Sequence, residues 1–298
     1  MKCRQCQKPA VIKMPRHNSA LCAVCFKEYT LGQVEKAIEE GKMFRREEPV
    51  MVAVSGGKDS LALWEILIRL GYRTTGLHLN LGIGDYSVIS QTKVERFAED
   101  RGVELIIHDY QETYGLGVIE IAGETARPPC SACGTMKRYH FNRIAMERGF
   151  PVVATGHNLD DEASRLLGNV LQWQEAYLEK QSPTLSDEEG TWARKVKPLY
   201  RLAEREIAAY AVISRIDYIV EECPMSKGAK MLLYKDVLNR LEEASPGTKH
   251  KFYLGFLSRR KASPALQEER DLRACFTCGQ PTQGELCSFC RLMERVTP

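Results

Sequence analysis

The stretch Val50–Leu61, VMVAVSGGKDSL, decides how this chain folds. Five apolar residues, Val50–Val54, fit a strand buried on both faces, as a parallel sheet requires. Ser55-Gly56-Gly57-Lys58-Asp59-Ser60 then turns the chain. Leu61, Leu63, Trp64, Leu67, Ile68 and Leu70 follow at helical spacing and stop at Gly71. Two glycines let the turn aim backbone N–H groups inward at an anion, and the start of a helix favours negative charge. Asp59 or Ser60 is expected to cap the helix, and Lys58 adds a cation. The turn is not a Walker A loop, because Asp59 follows Gly57-Lys58 where G-x4-G-K-[ST] is needed. It also lacks the G-x-G-x-x-G of dinucleotide sites.

The alternation continues outward from that turn. Strands are expected at Thr74–Leu81, Val103–Asp109, Pro151–Thr155 and Tyr218–Glu221. Helices are expected at Val88–Asp100, Ala132–Arg148 and Asp161–Trp173. The pattern predicts an α/β fold, a doubly wound parallel sheet with helices on both faces. Ligands of such sheets bind outside the carboxyl ends of the strands. A second segment, Thr155–Asp161 (TGHNLDD), reaches the same edge. Gly156 is expected to permit close approach to a ligand there. Asp161 reads either as a helix cap or as a functional carboxylate, and His157 as a structural histidine. Glu175–Gly190, polar with Pro183 and a DEEG run, breaks the rhythm and reads as a surface loop. Arg259–Arg273 reads as a charged connector.

Across 298 residues, 44% hydrophobic and 27% charged content are ordinary globular values. No apolar run is long enough to span a bilayer, and MKCRQCQKPA lacks a secretory apolar core. A cytoplasmic protein with no membrane partner is therefore expected. The net charge of +3 permits a nucleic-acid partner without requiring one. Local clusters say more: Arg194, Lys195 and Lys197; Arg201 and Arg205; Arg259, Arg260 and Lys261. Together they fit a polyanion-binding surface, and singly they fit solvated faces.

Eleven cysteines fall into groups of four, three and four. Cys3, Cys6, Cys22 and Cys25 form C-x2-C-x15-C-x2-C. Cys275, Cys278, Cys287 and Cys290 form C-x2-C-x8-C-x2-C. Each set offers two thiolate knuckles, enough for a closed tetrahedral zinc site with a structural role. Modules of about thirty residues are too small to bury a core without metal. The third group is Cys130 and Cys133, after Pro128-Pro129, with a distant Cys223 before Pro224. Three thiolates suit an iron–sulfur cluster with one iron left open. They also suit redox or persulfide chemistry, or two separate structural sites. Lys137 lies one helical turn past Cys133, where it is either a catalytic cation or a solvated lysine. Three regions are expected: residues 1–30, a zinc module; 31–260, the catalytic α/β domain; 261–298, a linker and second zinc module.

Ser55–Ser60 resembles the SGGxDS signature of the ATP-pyrophosphatase (PP-loop) superfamily. The resemblance implies that Ser55, Gly56, Gly57, Asp59 and Ser60 contact phosphate and Mg2+. It places Ala53 and the strand end His78–Leu79 along the nucleotide. The combination of that loop, a central C-x2-C, a lone C-P and zinc modules at both ends is similar to the TtuA branch of the TtcA/TtuA tRNA 2-thiolation family, over nearly the whole chain. This implies ATP binding by Ala53, Ser55, Gly56, Gly57, Lys58, Asp59, Ser60, Leu79, Lys137, Gly156 and Asp161, with Asp59, Lys137 and Asp161 catalytic. It implies a [4Fe-4S] cluster on Cys130, Cys133 and Cys223.

The implied substrate is T-loop ribothymidine (5-methyluridine) of tRNA, adenylated on its C2 oxygen and then attacked by sulfide, giving 5-methyl-2-thiouridine. The implied sulfur donor is a ubiquitin-like carrier protein with a C-terminal thiocarboxylate, and the implied assembly a homodimer. A related wobble-uridine thiolase is the near alternative. A non-enzymatic RNA-binding protein does not account for SGGKDS. An amidating PP-loop ligase leaves the three central cysteines without a purpose.

Overall fold

The computed structural model describes residues 1–125, 127–185, 192–226, 230–262 and 272–296. A hairpin of β1 (Ile12–Met14) and β2 (Ser19–Leu21) leads into α1 (Ala23–Glu40). The alternating part follows: β3 (Val50–Ala53), α2 (Lys58–Arg69), β4 (Thr74–Asn80), α3 (Gly84–Arg101) and β5 (Leu105–Asp109). Three helices then return the chain, the short α4 (Tyr110–Tyr114) and α5 (Val118–Glu124) and the long α6 (Pro129–Glu147). Next come β6 (Val152–Thr155), α7 (Leu159–Leu171), α8 (Glu175–Lys180), β7 (Thr184–Leu185) and β8 (Arg194–Val196). Helices α9 (Glu204–Ile213), α10 (Lys230–Ala244) and α11 (Thr248–Ala262) follow. A second hairpin, β9 (Arg273–Ala274) and β10 (Pro281–Thr282), precedes α12 (Ser288–Met293).

The central sheet has the order β5-β4-β3-β6-β8-β7, parallel throughout except for β7. Chain direction across the sheet reverses beside β3, so the gap between the carboxyl ends of β3 and β6 is the topological switch point. Val50, Val52 and Val54 pack on the side of α1, α2, α3, α7 and α9. Met51, Ala53, Leu77 and Leu79 pack on the side of α5, α6 and α12. Burial on both faces explains why VMVAV shows no alternation. Gly76 of β4 is required because a Cβ there would sit 2.4 Å from the Trp64 ring.

Two expectations change. Tyr218–Glu221 is not a strand; the neighbour of β6 is β8, whose sequence RKV carries two charges and no strand periodicity. The Tyr218–Glu221 segment instead spends its backbone on the phosphate turn, with Ile219 N–H donating to the Gly56 carbonyl at 2.9 Å. Glu175–Gly190 is not a plain loop, since it contributes α8 and β7. Buried Gln181 ties it down, donating to the Glu162 carbonyl at 2.9 Å and accepting from Asn169 at 2.9 Å. Residues 186–190 of that stretch, and 263–271 of the charged connector, lie outside the described residues. Among the described residues no helix is long and apolar enough to cross a membrane.

The C-terminal hairpin docks on α6. Phe289 stacks on Tyr139 with ring centroids 3.9 Å apart and planes 10° from parallel. Beneath them the buried His140 accepts from the Tyr114 hydroxyl at Nε2, 2.7 Å, and donates from Nδ1 to the Met136 carbonyl, 2.8 Å. Phe289→Ala is expected to cost about 3–5 kcal/mol in urea unfolding, the usual loss for a buried phenylalanine. Burial lowers the His140 imidazole to about 4, against 6.5 when free. Between those values the unfolded chain holds the extra proton, so stability rises with pH. The contribution is complete above 6.5 and is lost as pH falls toward 4. Melting curves of His140→Gln should be less pH-dependent across that interval than those of the wild type.

Candidate functional site

The turn after β3 is built so that its carbonyls are already engaged. The Ser55 carbonyl accepts from Ser90 Oγ at 2.8 Å, the Gly56 carbonyl from Ile219 N–H, and the Gly57 carbonyl from Ser60 Oγ at 3.0 Å. Ser60 Oγ in turn accepts from Ser55 N–H at 3.1 Å. With the oxygens bonded elsewhere, the start of α2 faces the edge as an electropositive cradle. Gly56 holds φ +75, and a Cβ on it would lie 2.7 Å from the Ser90 carbonyl, so only glycine fits. A Cβ on Gly57 would meet only Ser55 Oγ, at 3.6 Å, and so would project into the mouth of the cradle. Gly57 itself is the N-cap, without a side-chain bond, so neither Asp59 nor Ser60 caps α2 as expected.

Gly156 is also obligatory, for a reason that lies within the protein itself. Its Cβ would stand 2.9 Å from the Asp59 carbonyl carbon and the Ser60 nitrogen. Its bare face is turned to the backbone of the phosphate turn. Asp161 takes part in the cap of α7 and makes an ion pair as well. One oxygen accepts from Asn158 N–H at 3.1 Å while Asn158 accepts from Asp161 N–H at 3.1 Å, a capping box. The other oxygen receives Lys235 Nζ at 2.8 Å. Asn158 also donates to Asp59 Oδ1 at 3.2 Å, joining the two carboxylate segments. His157 is held by the Thr155 hydroxyl at 2.9 Å.

Two residues that the sequence did not single out complete the charge network. Glu204 starts α9 and Lys235 lies on α10. Lys58 Nζ bridges Asp59, 3.1 Å, and Glu204, 2.7 Å, while Lys235 bridges Asp161 and Glu204, both at 2.8 Å. Burial alone would raise the Glu204 carboxyl, yet the hydrogen bonds from Lys235 and Lys58 hold it at about 2. Burial raises Asp59, against the pull of Lys58 and helped by the negative charges of Asp161 and Glu204. Three carboxylates facing two ammonium groups leave a negative excess beside the phosphate cradle, the balance that a divalent cation relieves.

Ala53 and Leu79 are buried at the ends of β3 and β4, on the α6 side of the sheet. Buried His78, on the opposite side, donates from Nδ1 to the Val54 carbonyl at 2.9 Å, and among the described residues its Nε2 has no hydrogen-bond partner. Helix α6 runs back against the strands, so its N-terminus carries Cys130, Cys133 and Lys137 to the carboxyl edge. Cys223 and the following turn Pro224–Ser226 meet it there, where Cys130 Sγ donates to the Met225 carbonyl at 3.1 Å. Burial raises the Cys133 thiol, Lys137 opposes that rise, and Cys223 and Cys130 add to it. The three thiols and the lysine therefore share one neighbourhood.

The terminal quartets differ in geometry. Among the described residues, Cys3, Cys6, Cys22 and Cys25, and Cys275, Cys278, Cys287 and Cys290, are the groups whose ligand atoms all lie within 4.8 Å of one another. Thiolates on a tetrahedral zinc stand about 3.8 Å apart. Here Cys6–Cys22 is 3.5 Å, Cys6–Cys25 3.6 Å and Cys278–Cys287 3.8 Å. The central three are not drawn to one point, which suits a cluster of several metal atoms better than one ion.

A cleft of about 920 Å³ lined by Glu35, Phe44, Arg46, Tyr72 and Arg194 lies at the opposite edge of the sheet. Its charges pair with one another, as in Arg46–Glu35 at 2.8 Å, and it contains none of these groups. Gly156→Ala is expected to push the Asp59–Ser60 peptide out of place and to weaken ATP binding about tenfold or more with the fold intact. Titration with a fluorescent ATP analogue, alongside circular dichroism, checks it.

Comparison with known proteins agrees with this geometry. Residues 28–227 match the PP-loop domain family, and residues 2–27 match the N-terminal LIM domain of the 2-thiouridine synthetase TtuA. The chain is 48% identical, over 99% of its length and 92% of the relative, to the tRNA-5-methyluridine(54) 2-sulfurtransferase of Thermus thermophilus. It is 44% identical, over 98% and 93%, to the enzyme of the same name from Pyrococcus horikoshii. The solved U34-tRNA thiolase NcsA of Methanococcus maripaludis, described with its [4Fe-4S] cluster, superposes with a TM-score of 0.84 at 26% identity, covering 99% of this chain and 96% of that one. A phosphate turn with no free carbonyls, a capped carboxylate beside it and a cysteine-bearing helix at the same edge thus lie in a chain that belongs to the PP-loop tRNA 2-sulfurtransferases, in their TtuA branch.

Proposed function

We propose that this ATP-dependent tRNA 2-sulfurtransferase acts on 5-methyluridine of the T-loop, through an adenylated base, with sulfur from a ubiquitin-like carrier ending in a thiocarboxylate. The observation that carries the reading is the meeting, at one sheet edge, of the phosphate turn and the thiol-bearing start of α6. Thiolation at C2 needs both, because a carbonyl oxygen is a poor leaving group until it is phosphorylated. The base O2 attacks the α-phosphorus and pyrophosphate departs. A sulfur nucleophile then attacks C2, and AMP leaves with the original oxygen.

Ser55, Gly56, Gly57 and Ser60 hold the pyrophosphate half, with Lys58 beside it. Ala53, Leu79 and Gly156 flank the nucleotide. Asp59 and Asp161 hold Mg2+, which relieves their mutual repulsion and that of Glu204. Lys137 places a cation where charge develops, between the thiols and the phosphate. Cys130, Cys133 and Cys223 fit three ligands of a [4Fe-4S] cluster. When bound, that cluster supplies an iron without a protein thiolate, where sulfide can be held. The two quartets hold structural Zn2+. A homodimer in the reducing cytoplasm completes the reading.

Cys130→Ala, purified anaerobically, should lose thiolation of tRNA and keep its affinity for ATP. The readout is mass spectrometry of digested tRNA, which also reports which nucleoside gains sulfur. Full thiolation by the variant would sink the cluster assignment. Sulfur on the wobble uridine would transfer the enzyme to the NcsA-like activity.

A further inference from the structure

Beside the sulfur site lies a surface that the reaction described above does not use. Arg138 follows Lys137 on α6, Arg165 lies one turn past Asp161 on α7, and Lys195 is on β8 in register with Val153. The Arg138 guanidinium folds back over Gly134, with Nη1 3.2 Å from where a Cβ would stand. Burial and then the like charge of Arg165 lower Arg138, while burial and Arg138 bring Lys195 down to about 8. Among the described residues, none of the three has a carboxylate within 4.0 Å, although ion pairs are common elsewhere on the molecule. Three neighbouring cations without a carboxylate partner among the described residues suit an anion brought from outside.

About two helical turns past Arg165, the end of α7 shows a second, independent oddity. Trp173 occupies the position just past the helix cap with φ +47, where glycine is the relaxed choice. Its N–H closes the turn on the Val170 carbonyl at 3.1 Å, and the indole is left 78% exposed. Tyr177 on α8 is 65% exposed and close enough to Arg138 to feel its charge. A tryptophan held in a left-handed conformation without packing to repay it is strain at a place of use. Glu175 and Glu179 on α8 are exposed and add acidic groups beside Tyr177.

We propose that Arg138, Arg165, Lys195 and Trp173 dock the single-stranded loop of the RNA substrate, the cations on backbone phosphates and the indole under one unstacked base. The inference rests on the tRNA reading above and adds where the loop lies. Stacking platforms flanked by backbone-tracking cations are how proteins hold unpaired nucleotides. The surface adjoins Cys133 and Lys137, so a loop held there offers its neighbouring base to the reaction edge.

The test uses the full-length holoenzyme and an unmodified tRNA transcript. Trp173→Gly relieves the left-handed strain, so it should melt at or above the wild-type temperature. It should nevertheless bind tRNA about tenfold or more weakly. Arg165→Gln with Lys195→Gln should lower the slope of log affinity against log salt by about two, one per lost phosphate contact. Affinity for ATP should not change in either variant. Unchanged tRNA affinity in Trp173→Gly, or an unchanged salt slope in the double variant, overturns the proposal. So does normal RNA affinity with thiolation lost only when a protein delivers the sulfur, which would give the surface to the donor. Failure of the wild type to thiolate tRNA would instead remove the functional reading on which this one stands.

Discussion

Everything at the reaction edge depends on keeping three carbonyl oxygens out of one turn. A helix start attracts an anion only if its free N–H groups are not shadowed by nearby C=O groups. The chain meets this demand with partners distant in sequence. Ser90 on α3 takes the Ser55 carbonyl, and Ile219 beyond α9 takes that of Gly56. Ser60 takes that of Gly57 from within the turn. Gly156 presses from β6 against the Asp59–Ser60 peptide. Segments from α3, from the end of β6 and from beyond α9 therefore converge on six residues, so the geometry of the cradle depends on much of the fold.

The charges beside the cradle follow a related logic. Lys58 and Lys235 share Glu204, and each also holds a second acid. These groups are only partly buried, so solvent screens the pairs and their net stabilisation is small. Weak pairs of this kind are exchangeable. On the reading proposed above, an incoming pyrophosphate would compete for the two ammonium groups and an accompanying cation for the acids. By contrast, Lys197–Glu162 at 2.8 Å and Lys249–Asp160 at 2.5 Å are deeply buried, and Tyr253 also donates to Glu162, which makes them fixed struts of α7.

What could be read in advance divides along the line between local and distant information. The β3 turn, the start of α7 and the grouping of the two cysteine quartets are encoded within a few residues, so spacing and residue type sufficed to locate them. The true strand beside β6 did not, because Arg194–Val196 is three residues long and its pairing supplies what its sequence lacks. Tyr218–Glu221 has the composition of a strand and serves as a brace. Glu204 and Lys235 carry no local signal, since a lone acid and a lone base on helices look like solvated faces. For Gly156 the sequence did not name the Asp59–Ser60 peptide, because a missing side chain says that something is close without saying what. Asp161 joins the cap of α7 with one oxygen and pairs with Lys235 through the other, a division that residue type alone does not show.

The terminal modules raise the question of why a catalytic sheet should carry two four-thiolate knots. The N-terminal one is continuous with the fold. Helix α1 brings Cys25 in its first turn and Val34, Ala37 and Ile38 into the main core, so a single rigid element spans both. The C-terminal one touches the other face, where Phe289 stacks on Tyr139 and Asn142 donates to Gln280 at 2.8 Å. Both contacts fall on α6, the helix whose opposite end bears Cys130, Cys133 and Lys137. An α-helix transmits a displacement along its length because its hydrogen bonds resist stretching, whereas the edge of a sheet does not. Clamping the far half of α6 between the sheet and the C-terminal module therefore steadies the near end as well. At that end Ala132 is fully buried, while Cys130 is exposed at the mouth and donates to the Met225 carbonyl. A site that must receive a bulky macromolecule has to stay open at its mouth, so its rigidity has to be imported from behind.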